Sequence, residues 1–288
     1  MGDYVIYTDS ACDVGNDLLE SWDVKKRSLT FKFDDEEKEY SSDEMSPAQF
    51  YAEMKKGRVA KTAAINMKTF YDAFEEELKA GRDVLYIGMA SGISNTPNAA
   101  KLAAKELEEE YPDRKVIALD AFTASVGQGL LVYKASLLKK EGKSIDEVAD
   151  YVENNKMKYN VWFIVDDLIY LKRGGRISAT AAFAGGVLQL KPVLRVDEEG
   201  KLENVSKVRG RSQSIKSLAK KYMEMAVDPS NADYFIGQGD CFEEAKSLAA
   251  MIEKEGGNRV KEITDITPVI GAHTGPGIMV LGFIGEHR

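Results

Sequence analysis

Hydrophobic and polar positions change their period several times along this chain. Residues 4–7 (YVIY) are a β-branched and aromatic run closed by the polar Thr8-Asp9-Ser10, the pattern of a strand ending in a turn. Residues 25–40 (KKRSLTFKFDDEEKEY) alternate apolar with polar around Asp34-Asp35, which predicts a hairpin. Asn66 then opens a helix in which Phe70, Phe74 and Leu78 recur every fourth position, with Gly81 to stop it. Residues 83–89 (DVLYIGM) read as a buried strand. Pro97 suits the first helical position after Asn95-Thr96, and that helix reaches about Tyr111. Residues 115–119 (KVIAL) predict a strand and 125–140 a helix. Strand and helix in alternation predict a parallel sheet covered by helices.

After Asn155 the pattern shifts. Residues 161–165 (VWFIV) form a strand pattern, followed by the Gly- and Arg-rich YLKRGGRIS and the small-residue segment ATAAFAGG. Residues 192–196 and 202–208 flank Glu199-Gly200 as an antiparallel hairpin would. Residues 212–225 and 243–255 read as helices, 234–236 and 278–284 as strands. The change near 155–160 predicts a seam between two lobes.

Composition narrows the function more than the fold. At 288 residues the chain fits one large domain or two smaller ones. No apolar run approaches the roughly 18 residues a bilayer span needs. The start MGDYVIYTDS lacks a basic region before an apolar core, and Ile6 stands where a myristoylation signal has Ser or Thr. A cytoplasmic location is therefore expected. A net charge of −8 argues against a broad nucleic-acid face. Cys12 and Cys241 fit no zinc or redox spacing. Of the two histidines, His287 lies in the terminal Glu-His-Arg, which leaves His273 as the candidate for imidazole chemistry.

Five segments carry candidate chemistry. Thr62 follows Lys61 and precedes the small Ala63-Ala64, so a ligand could approach it; read alone, it is more readily a loop cap. Ser94 sits in SGISNTP at the carboxyl end of a predicted parallel strand, where open α/β sheets build ligand sites. Asn95 or Thr96 would be an ordinary N-cap there, leaving Ser94 free outside the helix. Gly127 and Gly129 resemble half a dinucleotide fingerprint without its third glycine, and close helix packing explains them better. Lys172, Arg173 and Arg176 around Gly174-Gly175, with Arg209 and Arg211 further on, could meet an anion or an acidic partner, or be solvated turns. His273, among the small residues of GAHTGPG, reads as a histidine exposed at a site.

Taken in order, these segments resemble the DegV family over almost the whole chain. The resemblance rests on Thr8-Asp9-Ser10 with Asp13, Lys61-Thr62, Ser94, Asp120 with Ser125, Gly127 and Gly129, residues 171–177 with Gly-Gly-Arg-Ile, Lys191-Pro192, Arg209-Gly210, and residues 271–277 with His-x-Gly-Pro-Gly. The chain departs from the family pattern at Ala63-Ala64-Ile65, Ile93, Asn95 and Ala121, which bears on pocket shape and ligand preference. The resemblance implies two α/β lobes, 1–158 with a parallel sheet and 159–288 with a mixed or antiparallel sheet, and a long-chain fatty acid between them. Its carboxylate would be held by Thr62 and Ser94, with Arg176, Arg209 and His273 around the head group or a docking face. It implies a carrier, with no catalytic residue, metal or cofactor of its own. That carrier would present the acid to a separate ATP-dependent kinase that makes the acyl-phosphate for phospholipid metabolism. Phe183 and Leu188, in the segment 179–190, are expected to line the acyl tunnel.

The competing reading is a self-contained hydrolase or phosphotransferase using His273 as general base. Against it, neither a Gly-x-Ser-x-Gly elbow nor a GxxxxGK[ST] phosphate loop occurs. A nucleotide-binding regulator fits less well still, for want of a complete dinucleotide fingerprint.

Overall fold

The computed structural model describes residues 3–178 and 190–288. Segment 179–189, which holds Phe183 and Leu188, lies outside the described residues. The first lobe is built on a four-stranded, fully parallel sheet ordered β2-β1-β6-β7. Its strands are β1 (Tyr4–Asp9), β2 (Val24–Arg27), β6 (Asp83–Gly88) and β7 (Val116–Asp120). Every residue of β1 is buried, as a strand with elements on both faces must be. A second, antiparallel sheet joins β3 (Thr30–Phe33) to β4 (Tyr40–Ser41) and β5 (Ala60–Ala63).

The predicted hairpin over 25–40 is therefore only half right. Residues 24–27 extend the parallel sheet beside β1, and the antiparallel pairing begins at Thr30 around a turn at 34–35. Alternation alone cannot separate two strands when only Ser28-Leu29 divides them. The pairing of β3 with β5 sets Phe31 opposite Thr62.

The helices α1 (Asn16–Ser21), α2 (Pro47–Lys55), α3 (Met67–Lys79), α4 (Thr96–Glu110), α5 (Ser125–Lys140) and α6 (Ile145–Asn155) belong to this half. In α3 the stripe Phe70, Phe74, Leu78 is buried and Asn66 caps the helix through the Thr69 amide. Helices α2 and α6 start with Ser46 and Ser144 capping boxes.

The second lobe is a six-stranded mixed sheet ordered β10-β9-β8-β13-β11-β12. Its strands are β8 (Tyr159–Ile164), β9 (Leu190–Val196), β10 (Leu202–Arg209), β11 (Tyr234–Gln238), β12 (Glu262–Asp265) and β13 (Met279–Ile284). Only the β11–β12 pair is parallel. The short α7 (Ile169–Arg173), then α8 (Arg211–Met225), α9 (Phe242–Lys254) and α10 (Pro268–Thr274), complete the described elements. Among the described residues, no helix is long and apolar enough to cross a membrane.

One core joins the lobes. It runs from Ile6, Leu85 and Ile87 of the first sheet through Leu130 and Leu131 of α5 to Val161, Phe163 and Val280 of the second. Two glycines allow this approach. A Cβ on Gly127 would lie 2.2 Å from Val161 Cγ2, and one on Gly282 would lie 2.8 Å from the Gly127 nitrogen. Helix α5 thus lies almost backbone to backbone on β13, and Gly127 serves close packing.

Candidate functional site

Between the lobes lies a cavity of about 250 Å³. Its walls are largely apolar: Val161 and Phe163 alternate along β8, Val280 stands on β13, and Val196 and Leu202 flank the β9–β10 turn. The polar residues lining it include Thr62, Ser94, Ser125, Arg176 and His273. Four of the five residues singled out from the sequence therefore meet in one place. Arg209 does not line the cavity; it is exposed at the end of β10.

Thr62 stands on β5 and its Oγ1 is 2.8 Å from His273 Nε2, joining residues 211 apart in sequence. His273 is not in a flexible loop, as its glycine-rich surroundings imply. Pro268 starts a short helix, α10, and His273 occupies its last turn before Gly275 at φ +77°. The ring is largely covered: burial, with the positive Arg176 nearby, pushes its pKa down to about 4. At neutral pH it is uncharged.

Gly174 explains part of the Gly-Gly-Arg motif. A Cβ there would lie 2.0 Å from His273 Nδ1, although the Gly174 backbone is ordinary. The glycine gives space to the imidazole and forms no phosphate cradle. Gly174→Ala is expected to displace the ring and cost about 1–3 kcal/mol of stability, read by denaturant unfolding.

Ser94 departs from expectation. Asn95 occupies the N-cap position of α4 but makes no capping bond. Ser94 Oγ instead accepts from the Thr96 amide at 3.2 Å and donates to Thr96 Oγ1 at 3.0 Å. The hydroxyl expected to be free is thus the helix cap, with one lone-pair direction left for a ligand.

Arg176 is the most informative member. Its Nε donates to the Ile93 carbonyl at 3.2 Å and its Nη1 to the Gly174 carbonyl at 2.6 Å. Among the described residues it has no carboxylate partner, and burial pushes its pKa down. A half-buried cation held only by carbonyls is under-compensated, so an anion entering the cavity would be stabilised there. Its motif neighbours Lys172 and Arg173 are exposed, and Arg211 pairs with Glu244 at 2.6 Å. The basic residues grouped in sequence therefore separate in space.

Sequence reasoning missed Ser125 as a cavity residue, because it reads only as a helix start. It begins α5 at φ +54°, and its hydroxyl donates to buried Asp13. Asp9 is the second buried hub, accepting from Tyr86 Oη, the Met89 amide and Gln128 Nε2. It ties the carboxyl ends of β1 and β6 to α5. Among the described residues, no cluster of three or more His, Cys, Asp or Glu could hold a metal ion.

Neutral His273 also fixes an acid-side liability. Its unfolded value is near 6.5 and its folded value about 4, so the unfolded chain binds the extra proton as pH falls between them. The His273 contribution is complete above 6.5, and about 3 kcal/mol of it is expected to disappear by pH 4, opposed over the same window by Asp13, whose raised carboxyl pKa favours the folded state at lower pH. His273→Gln should flatten that part of the pH–stability profile.

The model of the DegV family, described as "Uncharacterised protein, DegV family", matches residues 3–286. A DegV domain-containing protein of Clostridium perfringens is 40% identical over 289 residues, covering 100% of this chain and 99% of that protein. Two solved structures superpose over both lobes. One, a DegV family protein from Thermus thermophilus described for its fatty acid binding, has TM-score 0.88, 27% identity, and coverage of 99% and 100%. The other, a stearic acid-binding protein from Eubacterium ventriosum, has TM-score 0.88, 26% identity, and 98% coverage of each chain. With the family model matched over residues 3–286 and a 40% identical relative covered end to end, this chain belongs to the DegV family.

Proposed function

We propose that this protein binds a long-chain fatty acid in the inter-lobe cavity, its carboxylate at Arg176, Thr62 and Ser94. The observation that carries this is a guanidinium without a carboxylate partner among the described residues, at a polar patch in an otherwise apolar cavity. Burying an acyl tail contributes about 0.8 kcal/mol per CH₂, so the walls supply affinity and the polar patch sets orientation. The fatty-acid-binding relatives support the same ligand class. In this reading the division at 158/159 separates the two lobes that close on the ligand.

The protein would act as a cytoplasmic carrier that offers the carboxylate to a separate ATP-dependent kinase, feeding phospholipid synthesis. Arg209, exposed beyond the cavity, would belong to the docking face. Titration of delipidated protein with oleate tests the binding step. Wild type should bind, and Thr62→Ala combined with Ser94→Ala should weaken binding at least tenfold; no binding, or no change in the double variant, overturns the assignment.

A second reading has one observation in its favour. Thr62 and His273 stand at the separation of a nucleophile and its base. Among the described residues, however, His273 Nδ1 has no hydrogen-bond partner and no carboxylate orients the ring. Turnover by the purified protein alone would establish this reading over the carrier.

A further inference from the structure

The sequence motif Thr8-Asp9-Ser10 with Asp13 is not used by the cavity directly, yet Asp13 bonds to Ser125, which lines it, and to Thr267, which opens a helix that lines it. It is fully buried and adopts a left-handed backbone conformation, φ +50°. One carboxyl oxygen accepts from Ser125 Oγ at 2.6 Å. The other accepts from the Thr267 amide at 2.8 Å and from Thr267 Oγ1 at 2.7 Å. Ser125 opens α5 and lines the cavity. Thr267 is the N-cap residue of α10, whose Ile270, His273 and Thr274 also line it.

We infer that Asp13 is a positioning residue for the head-group end of the cavity, holding the start of α10 to the start of α5 so that His273 meets Thr62. Three observations converge. Thr267 makes no side-chain cap to its own helix, because its hydroxyl is committed to Asp13 and the Ser10 carbonyl. The anchor joins residues 254 apart, so it fixes one lobe against the other. Burial pushes the Asp13 carboxyl up to about 7 even with three donors on it, so the group is kept at an energetic cost.

Leverage makes the anchor matter. Six residues separate Thr267 from His273, about 9 Å of helix at 1.5 Å per residue. A tilt of about 10° at the anchored end would move the imidazole by roughly 1.5 Å, enough to break a hydrogen bond of ordinary length.

The inference rests on the fatty-acid reading for its affinity arm only. Its geometric arm uses nitrogen NMR of the imidazoles, where a His287→Gln variant assigns the two rings. Asp13→Ala and Thr267→Val are expected to shift the His273 ring signals and lower oleate affinity about tenfold in folded protein. Asp13→Asn, which keeps an acceptor toward Thr267, should restore both. Thr267→Val keeps the Asp13–Ser125 bond and serves if Asp13→Ala does not fold. Unmoved ring signals and affinity within twofold of wild type in the folded variants would overturn the inference. A wild type that binds no oleate, with ring signals still moving in the variants, would sink the fatty-acid reading and leave the positioning role standing.

Discussion

Arg176→Leu is expected to lower affinity for a long-chain fatty acid by about 30-fold or more while raising the thermal stability of the empty protein. The two signs come from one cause. Among the described residues the half-buried guanidinium has only the Ile93 and Gly174 carbonyls on it, so without a bound anion it is a cost to folding. A leucine, shorter and apolar, removes that cost, as hydrophobic replacement of buried charge often does. The bound carboxylate would lose its one charged partner in the same step, and truncating a desolvated pair costs about 2–5 kcal/mol. Parallel calorimetric unfolding and oleate titration check both halves. A variant that loses stability together with binding would mean that Arg176 supports the fold and not the ligand.

Gly282→Val should be the most destabilising single change on the cavity-facing sheet, by more than about 3 kcal/mol. The added Cβ would lie 2.8 Å from the Gly127 nitrogen and 2.9 Å from the Val126 carbonyl carbon. These are backbone atoms within α5, so no rotamer change relieves the clash. Either α5 lifts from β13 or the sheet bends, and both separate the shared core. Urea unfolding measures the loss, and a cost under 1 kcal/mol would show that the approach of α5 is looser than described. Gly127→Ala makes a useful contrast, because its nearest neighbour is the Val161 side chain, which has some freedom to move.

The parts of the fold legible in the sequence were those with a strong local period. The α3 stripe, the β6 run and the β9–β10 hairpin each declare themselves within a dozen residues. Helix α6 was passed over because Ser144 and Glu147 sit in a polar stretch whose capping role shows only when paired. Helix α10 was hidden by its glycines: Gly271 is inside the helix, where Tyr51 and Phe50 crowd the space a side chain would fill. The site was legible as an ordered set of weak signals. What could not be read was where each side chain turns, since Arg176 points inward while Lys172 and Arg173 are exposed, with only Gly174-Gly175 between them. Nor could sequence reveal that Ser94 spends its hydroxyl on a helix, because that depends on Asn95 leaving the cap position unfilled.

The β9–β10 hairpin lies at one edge of the six-stranded sheet, and its residues Val196 and Leu202 give wall to the cavity. Arg176, Thr62, Ser94 and His273 all come from other elements. On the proposed reading, part of the tail wall would thus come from a ribbon that carries none of the proposed head-group residues. An edge hairpin is also where substitutions and length changes are most easily tolerated. On that reading, a lineage could drift toward longer, shorter or kinked acyl chains by editing that ribbon while the proposed head-group residues stay unchanged.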